Sequence, residues 1–140
     1  MSTLNNRLKE LVGDDVEKIV QKLNFCNKSL VYKWIKDDNL PTISNLCKLA
    51  DHFNISIDYL LGRTDDYDEI TGYYSTTFHV RFEEILKKKN ITKYKLFKDL
   101  NFSKGLQYSW FTLKKIPSTE NLIKIADYLG VSIDFLIGRV

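Results

Sequence analysis

Leu40-Pro41-Thr42-Ile43-Ser44-Asn45-Leu46-Cys47-Lys48-Leu49-Ala50-Asp51-His52-Phe53-Asn54-Ile55-Ser56-Ile57-Asp58-Tyr59-Leu60-Leu61-Gly62-Arg63 has a near copy 76 residues further on. That copy reads Ile116-Pro117-Ser118-Thr119-Glu120-Asn121-Leu122-Ile123-Lys124-Ile125-Ala126-Asp127-Tyr128-Leu129-Gly130-Val131-Ser132-Ile133-Asp134-Phe135-Leu136-Ile137-Gly138-Arg139. Twelve of the 24 pairs are identical and most of the others exchange like for like, which chance does not produce. The likeness extends upstream. Leu23-Asn24-Phe25 matches Leu100-Asn101-Phe102, and Leu30-x-Tyr32-x-Trp34 matches Leu106-x-Tyr108-x-Trp110. The pattern predicts a tandem duplication with domains at 1–63 and 78–140, joined by an acidic linker at 64–77 that contains Gly72, Tyr73 and Tyr74.

A chain of 140 residues has room for two such small domains. Its composition, 44% apolar and 28% charged, is that of a globular protein. Met1-Ser2-Thr3-Leu4-Asn5 lacks the basic then apolar pattern of a signal peptide, and no apolar run approaches membrane-spanning length, so a cytoplasmic chain without a membrane partner is expected. Two cysteines, Cys26 and Cys47, cannot make a disulfide scaffold. Cys47 reads as a small core residue, whereas Cys26, in a lengthened turn, is a candidate exposed thiol. The net charge of +3 divides unevenly: +1 over 1–63, −4 over 64–77 and +6 over 78–140. A basic half suits nucleic acid, although solvated helix faces are often as basic.

Each copy reads as five short helices, giving an all-α fold. Phe82, Ile85 and Leu86 make a helical stripe that ends near Asn90. Thr92 is placed to cap a second helix bearing Leu96, Phe97 and Leu100, and Asp15 holds the same position before Val16, Ile19, Val20 and Leu23. A third helix starts near Asn27 or Ser103 and breaks at Leu40-Pro41 or Ile116-Pro117, because the residue before proline is pushed out of the helical region. Thr42 and Ser118 cap a fourth helix, which stops at Asn54 or Gly130. Ser56 and Ser132 cap a last helix that ends at Gly62 or Gly138.

Plotted at about 100° per residue, the third helix of the first copy has two unlike faces. Leu30, Val31 and Trp34 lie on one side with Ile35 at its border, and Lys28, Ser29, Tyr32, Lys33 and Lys36 lie on the other. A basic, hydrogen-bonding face suits a DNA major groove: Lys contacts phosphate or guanine, Ser a base edge, Tyr phosphate or a thymine methyl. An ordinary amphipathic surface helix would show the same split. Its occurrence after a tight turn, twice in one chain, favours the first reading.

These residues, from Lys22-Leu23-Asn24-Phe25 through Leu40-Pro41-Thr42 to Ile57-Asp58-Tyr59-Leu60-Leu61-Gly62-Arg63, resemble the Cro/repressor-type (XRE) helix-turn-helix family over about 120 of the 140 residues. The resemblance implies lambda-repressor-like five-helix DNA-binding domains, found in phage and bacterial transcriptional repressors. It transfers base reading to Asn27, Lys28, Ser29, Tyr32 and Lys33, and backbone contact to Val16 and Glu17, neither of which is the neutral polar residue usual there.

The second copy departs further from the family. Phe97 stands at a position usually small, where the first copy has Val20. Gln107 matches Val31 and is expected to be a buried amide costing about 1–3 kcal/mol, and Gly105 weakens the same helix by about 1 kcal/mol. Asn24 and Asn101 replace the turn glycine and tolerate a left-handed backbone. The exposed set Lys104, Gly105, Tyr108, Ser109 and Thr112, backed by Lys93, Lys95, Lys98, Lys114 and Lys115, suits phosphate contact more than base reading. Leu113, opposite Asp37 of the first copy, is a candidate apolar spot for a partner.

His52 and His79 have no ligand-spaced neighbours, and neither a phosphate-binding glycine loop nor a catalytic cluster is present, so no metal, cofactor or enzymatic activity is expected. The preferred expectation is a sequence-specific repressor that binds operator DNA as a double strand, on its own two readers or as a homodimer. The alternative is a protein-binding inhibitor on the same scaffold, such as a phage anti-defence protein or an antitoxin, motivated by Phe97, Gln107, Leu113 and the acidic linker.

Overall fold

The computed structural model describes residues 3–25, 27–36, 40–66 and 74–139. Cys26, Asp37 and residues 67–73 of the acidic stretch lie outside the described residues. Among those described the chain is all-helical, its ten α-helices falling in two compact units, Met1–Gly72 and Tyr73–Val140.

The first unit holds α1 (Thr3–Val12), α2 (Val16–Leu23), α3 (Lys28–Lys36), α4 (Ile43–Phe53) and α5 (Ile57–Leu60). Their ends follow local chemistry. Thr42 Oγ1 accepts from Asn45 N at 3.2 Å and Ser56 Oγ from Tyr59 N at 2.9 Å, each satisfying an orphan donor of its helix's first turn. Asn24 and Asn54 stop α2 and α4 in the left-handed region, with φ of 57° and 54°. Asp15 precedes α2 but forms no side-chain cap, because its backbone (φ −104°, ψ 56°) lies outside the extended region that capping needs. Leu8, Val31, Leu46, Leu49, Ala50, Ile55, Ile57 and Leu60 form the sealed core. Cys47 is only half-buried, at the border of the α4 stripe rather than within the core.

Two polar devices tie α1 into this unit. The buried Asn5 donates Nδ2–H to the Trp34 carbonyl, so its amide is satisfied where an unpaired one would be costly. Arg7 lies 3.9 Å over the Tyr59 ring and donates to the carbonyls of Tyr59 and Thr64 and to Asp65 Oδ1, the last two at 2.8 and 2.9 Å. Near the C-terminal end of α5, Asp58 pairs with Arg63.

The second unit holds α6 (Phe78–Lys89), α7 (Lys93–Asp99), α8 (Lys104–Gln107), a wide π turn over Tyr108–Thr112, α9 (Thr119–Leu129) and α10 (Ile133–Leu136). Thr77, Thr92, Ser103, Ser118 and Ser132 all accept from the backbone N–H three residues on. Asn90, Asn101 and Gly130 take the left-handed stops. Phe78, Phe82, Leu96, Leu122, Ile125, Ala126, Ile133 and Leu136 are sealed from solvent. Arg81 lies 4.4 Å over the Phe135 ring and donates to Ser75 Oγ, while Ser75 N donates to Gly138 O at 2.9 Å. Buried Arg139 pairs with Asp134 at 2.9 Å.

Candidate nucleic-acid interface

In the first unit α2, the left-handed Asn24 and α3 make a helix-turn-helix, and α3 separates its faces as its periodicity predicts. Val31, Trp34 and Ile35 are buried, Leu30 is half-buried, and Lys28, Ser29, Tyr32, Lys33 and Lys36 are exposed. Trp34 meets Phe25 edge-on at 5.2 Å, which pins the helix by its apolar side.

The five polar positions and Asn27 are not equivalent. Asn27 Oδ1 accepts from Leu30 N at 3.0 Å and so caps α3, which occupies its acceptor. Lys28 Nζ lies 2.8 Å from Glu17 Oε1. This pairing holds the Glu17 carboxyl below the usual carboxylate range and raises the Lys28 ammonium, so both stay charged at neutral pH. Lys36 reaches back toward the Tyr32 ring, 5.1 Å from its centroid. Ser29, Tyr32 and Lys33 form the central exposed strip. Val16 is buried and is spent on the core, so a backbone contact at the start of α2 would fall to peptide N–H groups.

The second unit assigns its residues differently. Lys104, Gly105 and Tyr108 are exposed, Ser109 is half-buried, and Lys114 is exposed with a left-handed backbone (φ 57°). Lys93 is not an open cation: it pairs with Glu83 and lies 4.2 Å over the Phe111 ring. Leu113 is exposed, and Asp37, the residue it matches in the first copy, is among the undescribed residues.

Gln107 is exposed, which corrects the expectation of a buried amide. The reason lies in Phe97. Its ring is buried among Phe102, Trp110 and Phe111, with centroids 5.6, 5.4 and 6.0 Å away. A regular α-helix puts residues three apart on one face, so Gln107 would enter the core with Trp110. The bulk of Phe97 takes that space. Leu113 N instead bonds Tyr108 O, five residues back, at 3.0 Å, and the widened turn carries Trp110 inward while Gln107 stays out.

Tyr94, at the second position of α7, was not among the candidates and is the most exposed large hydrophobic side chain among the described residues, at 77%. Its signal was present in Lys93-Tyr94-Lys95, an aromatic residue between lysines and off the Leu96–Leu100 stripe. Among the described residues no cluster of His, Cys, Asp and Glu is placed to hold a metal ion. His52 packs against Phe53, and His79 Nε2 lies 3.2 Å from the Lys115 carbonyl. No described helix is long and apolar enough to cross a membrane.

Residues 82–136, from α6 to α10, match the model of the helix-turn-helix family. The match supports a DNA-binding transcription regulator and includes the segment that the π turn distorts. No curated protein and no solved structure matches the chain.

Proposed function

We propose that the protein is a sequence-specific duplex-DNA-binding regulator, acting as a repressor, in which 1–63 reads bases and 78–140 is a second reader, a phosphate clamp or a dimerisation module. The observation that carries this reading is the division of α3, whose buried Val31, Trp34 and Ile35 leave Ser29, Tyr32 and Lys33 facing outward. Basic and hydroxyl groups on one exposed helix face match the donor and acceptor edges of a major groove. Phosphate gripping by the second unit rests on Lys104 and Lys114, both exposed. Two unequal readers would favour an imperfect palindrome, with half-sites about one helical turn apart.

The test is selection from random duplexes followed by affinity measurement. Ser29→Ala or Lys33→Ala should cost about 1–3 kcal/mol on the selected site and little on random DNA. Equal losses on both would reduce these residues to phosphate contacts. A second reading, a protein-binding module, draws on exposed Val80, Leu113 and Ile116 in the second unit. It becomes the better one if selection enriches no sequence.

A further inference from the structure

Three departures of the second helix-turn-helix from the first converge on one place. Aligned on Asp15 and Thr92, which precede their second helices, Tyr94 stands where the first unit has Glu17, and Phe97 where it has Val20. Gln107 stands for Val31. Tyr94, Phe97 and Gln107 all line a groove of about 370 Å³ between α7 and α8, a volume within the roughly 300–1,000 Å³ of small-ligand sites. Phe97 and Phe102, edge to face at 5.6 Å, give it an aromatic lining. Lys98 and Lys104 supply positive charge, and Asn101 completes a pair of amides with Gln107. No carboxylate lines it.

In the first unit the matching positions hold the Glu17–Lys28 ion pair, which would repel an anion and occupy the lysine. In the second, Lys104 has no carboxylate at that position to meet, because Tyr94 has replaced it. The groove therefore offers ring faces for stacking, amides that both donate and accept, and cations. An occupant that needs all three is flat, rich in hydrogen-bonding edges and attached to a negative charge.

We propose that this groove holds an unpaired DNA nucleotide, its base against Tyr94 and the half-buried Phe102 and its phosphate on Lys98 or Lys104. Base–aromatic stacking beside a cationic track is the general chemistry of single-strand binding. The choice of DNA rests on the regulator reading above, whereas the groove's chemistry does not. A duplex keeps its bases stacked and hidden, so the site serves a single strand or a locally opened one.

Fluorescence anisotropy on the full chain tests this with four labelled probes: a 15-mer of thymidine, an abasic 15-mer, a uridine 15-mer RNA and the selected duplex. The thymidine strand should bind at least tenfold more tightly than the abasic one. Tyr94→Ala should weaken thymidine binding by about 5- to 100-fold and leave abasic and duplex binding within twofold, while Tyr94→Phe keeps the affinity. Tyr94 is so exposed that circular dichroism should show both variants folded. Equal binding of thymidine and abasic strands, or equal losses on both in Tyr94→Ala, would overturn the proposal. Tighter binding of the RNA would overturn the assignment to DNA. Loss of the duplex signal alone would sink the regulator reading while the groove's activity stood.

Discussion

Replacing Trp34 by alanine attacks the orientation of α3, on which every assignment in the first helix-turn-helix depends. The indole is 2% exposed and meets Phe25 edge-on. A buried aromatic side chain withdraws about 150–250 Å² from water, which at about 25 cal/mol per Å² amounts to roughly 4–6 kcal/mol. Alanine retains part of that, and large-to-small changes of this kind cost about 3–5 kcal/mol. A unit spanning Met1–Gly72 has a total stability of about 4–11 kcal/mol at typical per-residue values, so the loss takes most or all of it. At about 4–8 °C per kcal/mol, the melting point of this unit should fall by about 12 °C or more. Thermal denaturation by circular dichroism reads the shift. Amide NMR locates it, because resonances of 3–66 should collapse while those of 74–139 persist. Unchanged melting of Trp34→Ala would mean that α3 is turned the other way, and that Ser29, Tyr32 and Lys33 do not face outward.

The remaining predictions concern charge, pH and backbone. Lys104→Gln with Lys114→Gln should flatten the slope of log affinity against log salt by up to about 1.8, near 0.9 per phosphate contact, on specific and random duplexes alike. Lys93→Gln should leave that slope unchanged and lower stability instead, since its ammonium is held by Glu83 and Phe111. Burial, with Lys22 and Lys18 nearby, holds the His52 imidazole below its ordinary 6.5, so the unfolded chain takes up this proton first as pH falls. Stability from this group is complete above 6.5 and declines below it, and in chemical denaturation at a series of pH values His52→Gln should remove that part of the decline. Gly138→Ala should destabilise the second unit far more than Gly130→Ala. Both backbones are left-handed (φ 81° and 68°), but a Cβ at 138 would strike the Thr76 carbonyl whereas one at 130 meets open space. Similar melting points for the two variants would refute the clash.

Much of the fold was legible because its signals are local. A hydroxyl three residues before a backbone N–H makes a cap wherever the chain is extended, as at Thr42, Ser56, Thr92 and Ser118, and asparagine tolerates a left-handed stop at positions 24, 54, 90 and 101. The two faces of α3 followed from 3.6-residue spacing alone, and with them the exposure of Ser29, Tyr32 and Lys33. Asp15 failed as a cap because residue type does not set φ and ψ. Everything governed by volume or reach across elements required the tertiary structure. The size of Phe97 was visible, but its effect on a helix ten residues away, a π turn that expels Gln107, depends on how α7 and α8 share one space. Lys93 read as an open cation until the fold brought Glu83 and Phe111 to it, and Asn5 gave no sign of its bond to the Trp34 carbonyl. Periodicity reports which side of a helix is apolar. It carries no information about what the opposing helix has already filled, and that occupied volume decided which of the second unit's residues stay exposed.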